Sequence, residues 1–151
     1  MKTKIIVSAC LLGENCKYNA TNNFNAEVSA LGDKFELIPV CPEVFGGLDT
    51  PRPPSEIVGD RVIANNGTDV TAQYHDGAEK TLYIAREHNC PAALLKQRSP
   101  SCGCGKIYDG NFSGTLVDGN GITAQLLLDN DIAVFGENNI NKLIDLYYFI
   151  D

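Results

Sequence analysis

LLKQRSPSCGCG, residues 94–105, begins as an apolar run and breaks into a loop of proline, glycine and two thiols. A short apolar run ending in such a loop reads as a buried strand with a functional loop at its carboxyl end, where alternating α/β sheets bind their ligands. Two further cysteines follow apolar runs in the same way, Cys10 after residues 4–9 and Cys41 after residues 35–40. Three strand ends are thus expected to point thiols toward one crevice.

The segments around these runs supply the helices. Upstream of the third strand, at 92–95, Val70, Tyr74, Ala78, Leu82 and Ala85 recur at helical spacing and predict a helix over 70–89, with Asp69 as its N-cap. Gly77 inside it costs about 1 kcal/mol relative to Ala, which points to close packing there. Downstream, 106–121 reads as a hairpin with Asp-Gly and Ser-Gly turns, 122–128 as a helix, 132–135 as a fourth strand and 140–150 as a last helix. In the first half, a helix is expected over 25–31 and a hairpin over 57–64, separated by DTPRPPS, 49–55, whose three prolines impose a stiff extended loop. The alternation predicts a single α/β domain over 1–151: a Rossmann-like open sheet, mostly parallel, with helices on both faces and one or two small hairpin insertions.

Composition narrows the function. Twelve Lys plus Arg against 19 Asp plus Glu give a net charge of -7, which opposes attachment to phosphate polymers or anionic membranes and favours a small-molecule partner. Lys96, Arg98 and Arg52 are the basic residues near the candidate loops. The opening MKTKIIVSACLLG has too short an apolar stretch for a signal peptide or membrane span, so a cytoplasmic protein is expected. Six cysteines in a reducing compartment point to metal binding rather than cystines.

Spacing alone leaves the metal open. Thiolates from Cys10, Cys41 and Cys102 suit a 4Fe-4S cluster with one iron free to act as a Lewis acid; Cys16 or Cys104 as a fourth ligand would close the site, and a structural zinc site is the competing reading. Cys90, beside Pro91, reads as a small buried residue. Glu43, two residues beyond Cys41, is placed for a general base, against the bland alternative of a solvated loop carboxylate. Ser99 and Ser101 offer hydroxyls beside Cys102, or simply shape the turn at Pro100. His75 and His88 lack paired-ligand spacing, and the glycine-rich pieces form neither a Walker loop nor a dinucleotide fingerprint.

Three stretches, VSACLLGENCKY (7–18), PVCPEVFGGLDTPRPPSEI (39–57) and LLKQRSPSCGCGKIYDGNFSGT (94–115), together resemble the thiouracil desulfurase family. The resemblance implies a 4Fe-4S cluster on Cys10, Cys41 and Cys102, with the remaining iron open to the sulfur of a thiolated pyrimidine base, nucleoside or nucleotide. It implies Glu43 and a serine of the SPSC loop, Ser99 or Ser101, as catalytic partners. The implied reaction is hydrolytic: C=S becomes C=O and sulfide leaves, without net redox change. Lys17-Tyr18-Asn19-Ala20 departs from the family pattern, which has an acidic residue and glycine after the basic and aromatic pair. A cluster-bearing sulfur carrier in RNA thiolation and a zinc-bound module without turnover are the alternatives.

Overall fold

The computed structural model describes residues 2–148. Along the chain run β1 (Lys4–Ser8), α1 (Ala26–Ala30), β2 (Glu36–Val40), α2 (Pro42–Phe45), β3 (Ser55–Val58), β4 (Arg61–Ala64), α3 (Thr71–Glu87), β5 (Ala92–Leu95), β6 (Lys106–Tyr108), β7 (Leu116–Asp118), α4 (Ile122–Asp129), β8 (Ala133–Gly136) and α5 (Ile140–Tyr147). The main sheet has the order β2-β1-β5-β8 with every neighbouring pair parallel, and β3-β4 and β6-β7 form two separate antiparallel hairpins. This is the open, helix-covered sheet with small hairpins that the sequence predicts.

The central strands are apolar over Ile5–Val7 of β1 and throughout β5 because both sheet faces are covered there. Successive side chains alternate between the faces. Ile5 and Val7 of β1 and Leu94 of β5 pack with Val28 of α1 and Ile140 and Leu143 of α5. Ile6, Ala93 and Leu95 point the other way, onto Leu82 and Ala85 of α3 and Ala124 and Leu127 of α4. A smaller cluster of Val62, Val70 and Tyr74 seats the β3-β4 hairpin on the start of α3.

Boundaries differ from expectation where side chains make tertiary bonds. Asn25 caps α1 as a short helix should be capped, its side chain accepting from the Val28 N–H. Asp69 does not cap α3: its Oδ1 accepts from the backbone and hydroxyl of Thr71, and its Oδ2 pairs with Arg61 of β4, so it ties the hairpin to the helix that begins at Thr71. Two short elements lie where loops were expected, a single 3₁₀ turn over Ala9–Leu12 and the four-residue α2. The last helix ends at Tyr147; residues 149–150 of the expected span lie outside the described residues. Among the described residues no helix is long and apolar enough to cross a membrane.

Candidate active site

From β1 the chain crosses to β2 on one side, and from β5 to β8 on the other, so the connections leaving the paired strands β1 and β5 diverge at the point where open α/β sheets form a ligand crevice. A cavity of about 390 Å³ lies there, at the carboxyl ends of the strands. Four cysteines, Cys10, Cys16, Cys41 and Cys102, contribute to its wall.

Each thiol is fixed by its own backbone device. Cys10 sits in the 3₁₀ turn after β1, and its carbonyl accepts from Gly13 and Asn23. Gly13, at φ 99°, turns the chain in a left-handed conformation that a side chain would oppose. The loop therefore folds back, which places Asn23 Nδ2 3.5 Å from the Cys10 Sγ and carries Cys16 to the cavity. Cys41 is extended and directly precedes α2, where Pro42 occupies the first helical position. Cys102 lies in the turn after β5, whose geometry is held by Ser99: the Oγ accepts from the N–H groups of Ser101 and Cys102, each at 3.1 Å.

The thiols divide electrostatically. The Cys16 thiol lies between Cys10 and Cys41, and sharing its one proton with them brings Cys10 down to about 7 and also lowers Cys41, while Cys16 itself is held well above the ordinary thiol range. Burial, reinforced by the Glu43 charge, pushes Cys102 well up. Such a thiol stays neutral until a bound cation stabilises its thiolate.

These donors suit a soft metal centre. Thiolates select soft metals, and a zinc site would need its ligands to converge at about 2.3 Å on one point. Among the described residues no three His, Cys, Asp or Glu side chains converge in that way. All six cysteines are free thiols. Cys90 and Cys104 pack with the core on the α3 and α4 face, away from the cavity wall.

The remaining predicted residues separate clearly. Glu43, in the first turn of α2, lines the cavity and is no solvated loop carboxylate: its Oε2 accepts from the Arg52 guanidinium at 3.0 Å. Ser99 also lines the cavity. Ser101 does not; it is fully buried, with its hydroxyl 2.8 Å from that of Thr123. His75 is exposed on α3 and His88 is exposed at its C-cap.

Sequence reasoning gave no role at the cavity to Arg52 or Tyr74. Arg52 stood out only as one basic residue of a proline-rich loop. Tyr74 belonged to the apolar stripe of a helix, yet its ring reaches the cavity. Burial pushes the Tyr74 phenol well above its ordinary range, with the Glu43 charge adding to the effect, so it is a neutral O–H donor.

The family model described as 2-thiouracil desulfurase matches residues 5–139, a span that contains every thiol of the cavity. The chain belongs to this family. It is 41% identical over 150 residues to the uncharacterized protein YbbK of Bacillus subtilis (strain 168), covering 93% of this chain and 99% of that one. Among solved structures it is similar to a [4Fe-4S]-dependent thiouracil desulfidase, TudS, with a TM-score of 0.89 and 44% identity, over 94% of this chain and 95% of that one.

Proposed function

We propose that the protein is a 4Fe-4S-dependent desulfidase that hydrolyses the C=S bond of thiouracil, giving the oxo base and hydrogen sulfide. The observation that carries this reading is the meeting of strand-end thiols, an oriented carboxylate and a serine hydroxyl on one cavity, in a chain 44% identical to a [4Fe-4S]-dependent thiouracil desulfidase.

Cys10, Cys41 and Cys102 are the proposed cluster ligands, since they come from three different strand ends and so can hold a body wider than a single ion. When bound, the cluster supplies an iron without a protein ligand, open to a soft sulfur donor and acting as a Lewis acid. Glu43 takes a proton from the water that adds to the thiocarbonyl carbon, through the carboxylate oxygen not engaged by Arg52. Ser99 already accepts two N–H groups at its Oγ, which leaves its hydroxyl proton for the substrate's polar edge. Water adds, C=O replaces C=S, and sulfide leaves with the two protons, so no electron donor is consumed.

A cavity of about 390 Å³ suits a pyrimidine ring, presented as a free base, nucleoside or nucleotide, far better than intact RNA. The net charge of -7 also disfavours a polynucleotide partner, and reduced thiols suit a single-domain cytoplasmic enzyme. The test is anaerobic reconstitution followed by incubation with 2-thio and 4-thio pyrimidines. Sulfide and oxo base should appear in equal amounts without RNA or reductant. A cluster-loaded protein that turns over none of them, but passes sulfur to RNA from a donor, would replace hydrolysis by sulfur transfer.

A further inference from the structure

We infer that Arg52 is a positioning residue for this reaction: its guanidinium fixes one oxygen of Glu43 against the first cysteine loop and leaves the other aimed into the cavity. The inference rests on Glu43 acting as the base proposed above.

Arg52 ties two loops to α2. One terminal nitrogen donates to Glu43 Oε2 at 3.0 Å and to the Cys16 carbonyl at 2.9 Å. The other donates to the Asp49 carbonyl at 3.2 Å and the Thr50 hydroxyl at 3.1 Å. Its backbone N–H donates to the Tyr18 carbonyl at 2.7 Å. The loop it belongs to has little freedom of its own, because Pro51, Pro53 and Pro54 fix their φ angles around it. Only 6% of the Arg52 side chain is exposed, so the guanidinium is committed to these partners and has little surface left for solvent.

The form of the pair argues for positioning. Arginine and carboxylate commonly meet through two parallel bonds, which occupy both carboxylate oxygens. Here the guanidinium engages Oε2 alone, and Oε1 has no protein partner among the described residues although Glu43 lines the cavity. Burial opposes the Arg52 charge, but the charge and hydrogen bond of Glu43 outweigh it and raise the group above its ordinary value, so the cation persists. Lysine cannot reproduce the arrangement. A single ammonium lacks the planar fork that reaches Glu43, Cys16 and Asp49 at once.

The double-mutant cycle of Arg52→Met with Glu43→Gln tests this, with Arg52→Lys alongside, on reconstituted protein whose iron per chain is measured first. A group displaced by about 1 Å can cost about a hundredfold in rate. Arg52→Met should therefore lower kcat by about tenfold to a hundredfold with KM and iron content retained, and Arg52→Lys should recover part of the loss. In the Glu43→Gln background the same substitution should cost less than about twofold, because the base it positions is already gone. Multiplicative losses, or a raised KM with kcat unchanged, would overturn the inference and give Arg52 a separate role in substrate binding. Full turnover in Glu43→Gln alone would instead reject the base beneath it. If Arg52→Met fails to retain iron, Arg52→Lys carries the same cycle, and wild-type kcat in that variant would show that the fork is not needed.

Discussion

Gly46 and Gly77 bring the end of α2 and the middle of α3 into backbone contact: a Cβ on Gly46 would stand 1.9 Å from the Gln73 carbonyl oxygen, and one on Gly77 1.8 Å from that of Pro42. The four-residue helix that follows Cys41 and carries Glu43 is thereby pressed onto the longest helix of the protein. Lys80 adds a bond from its Nζ to the Phe45 carbonyl.

Gly77→Ala should therefore be destabilising even though alanine is the better helix former by about 1 kcal/mol. The obstacle is a carbonyl rather than a side chain that can rotate away, so α2 must shift, at a typical overpacking cost of about 1–3 kcal/mol. A lower melting temperature together with reduced iron retention is expected. An unchanged melting curve would mean that α2 moves freely and that the contact does not locate Cys41.

Ser99 and Ser101, equivalent candidates in the sequence, should behave differently. Ser99→Ala removes a cavity hydroxyl and the acceptor that holds the Cys102 turn, so turnover should fall by about tenfold or more. Ser101→Ala leaves the Thr123 hydroxyl without its buried partner, so the loss should appear as about 1–3 kcal/mol of stability with turnover largely kept. Steady-state kinetics beside thermal denaturation separates the two, and the reverse pattern would move the catalytic assignment to Ser101.

In the cluster-free protein Cys10 should be the thiol most reactive near neutrality. The hydrogen bond from Cys16 lowers it to about 7, so its thiolate forms as pH rises through about 7, below the ordinary cysteine value of about 8.5. Iodoacetamide labelling against pH, read peptide by peptide by mass spectrometry, should show that midpoint, and Cys16→Ala should move it upward. A wild-type midpoint at or above about 8.5 would contradict the shared-thiol arrangement.

Much of this architecture was legible because it depends on local pattern. The buried strands are rich in apolar residues, Ile5–Val7 in the first and all of 92–95 in the third, as strands covered on both faces must be, and with the run 35–40 they lead to the three strand-end cysteines. What escaped depends on side-chain direction set by tertiary contact. Cys16 and Cys104 stood as equal candidates for a fourth thiol, and only the loop's return through Gly13 and Asn23 onto Cys10, which no periodicity encodes, separates them by carrying Cys16 to the cavity. Asp69 looked like a helix cap because its type and position fit, but Arg61 and Thr71 are its partners. Tyr74 was hidden by belonging to an apolar stripe whose upper end opens on the cavity.

The central claim is that Cys10, Cys41 and Cys102 jointly hold the cluster. Cys102 tests it most sharply, because it is buried and lies in a different loop from the three thiols linked through Cys16. The measurement is iron and acid-labile sulfide per chain after anaerobic reconstitution of Cys102→Ser, beside Cys104→Ser, which alters a thiol outside the cavity wall. The account predicts loss of the cluster in Cys102→Ser and full loading in Cys104→Ser; a full complement of iron and sulfide in Cys102→Ser would contradict it.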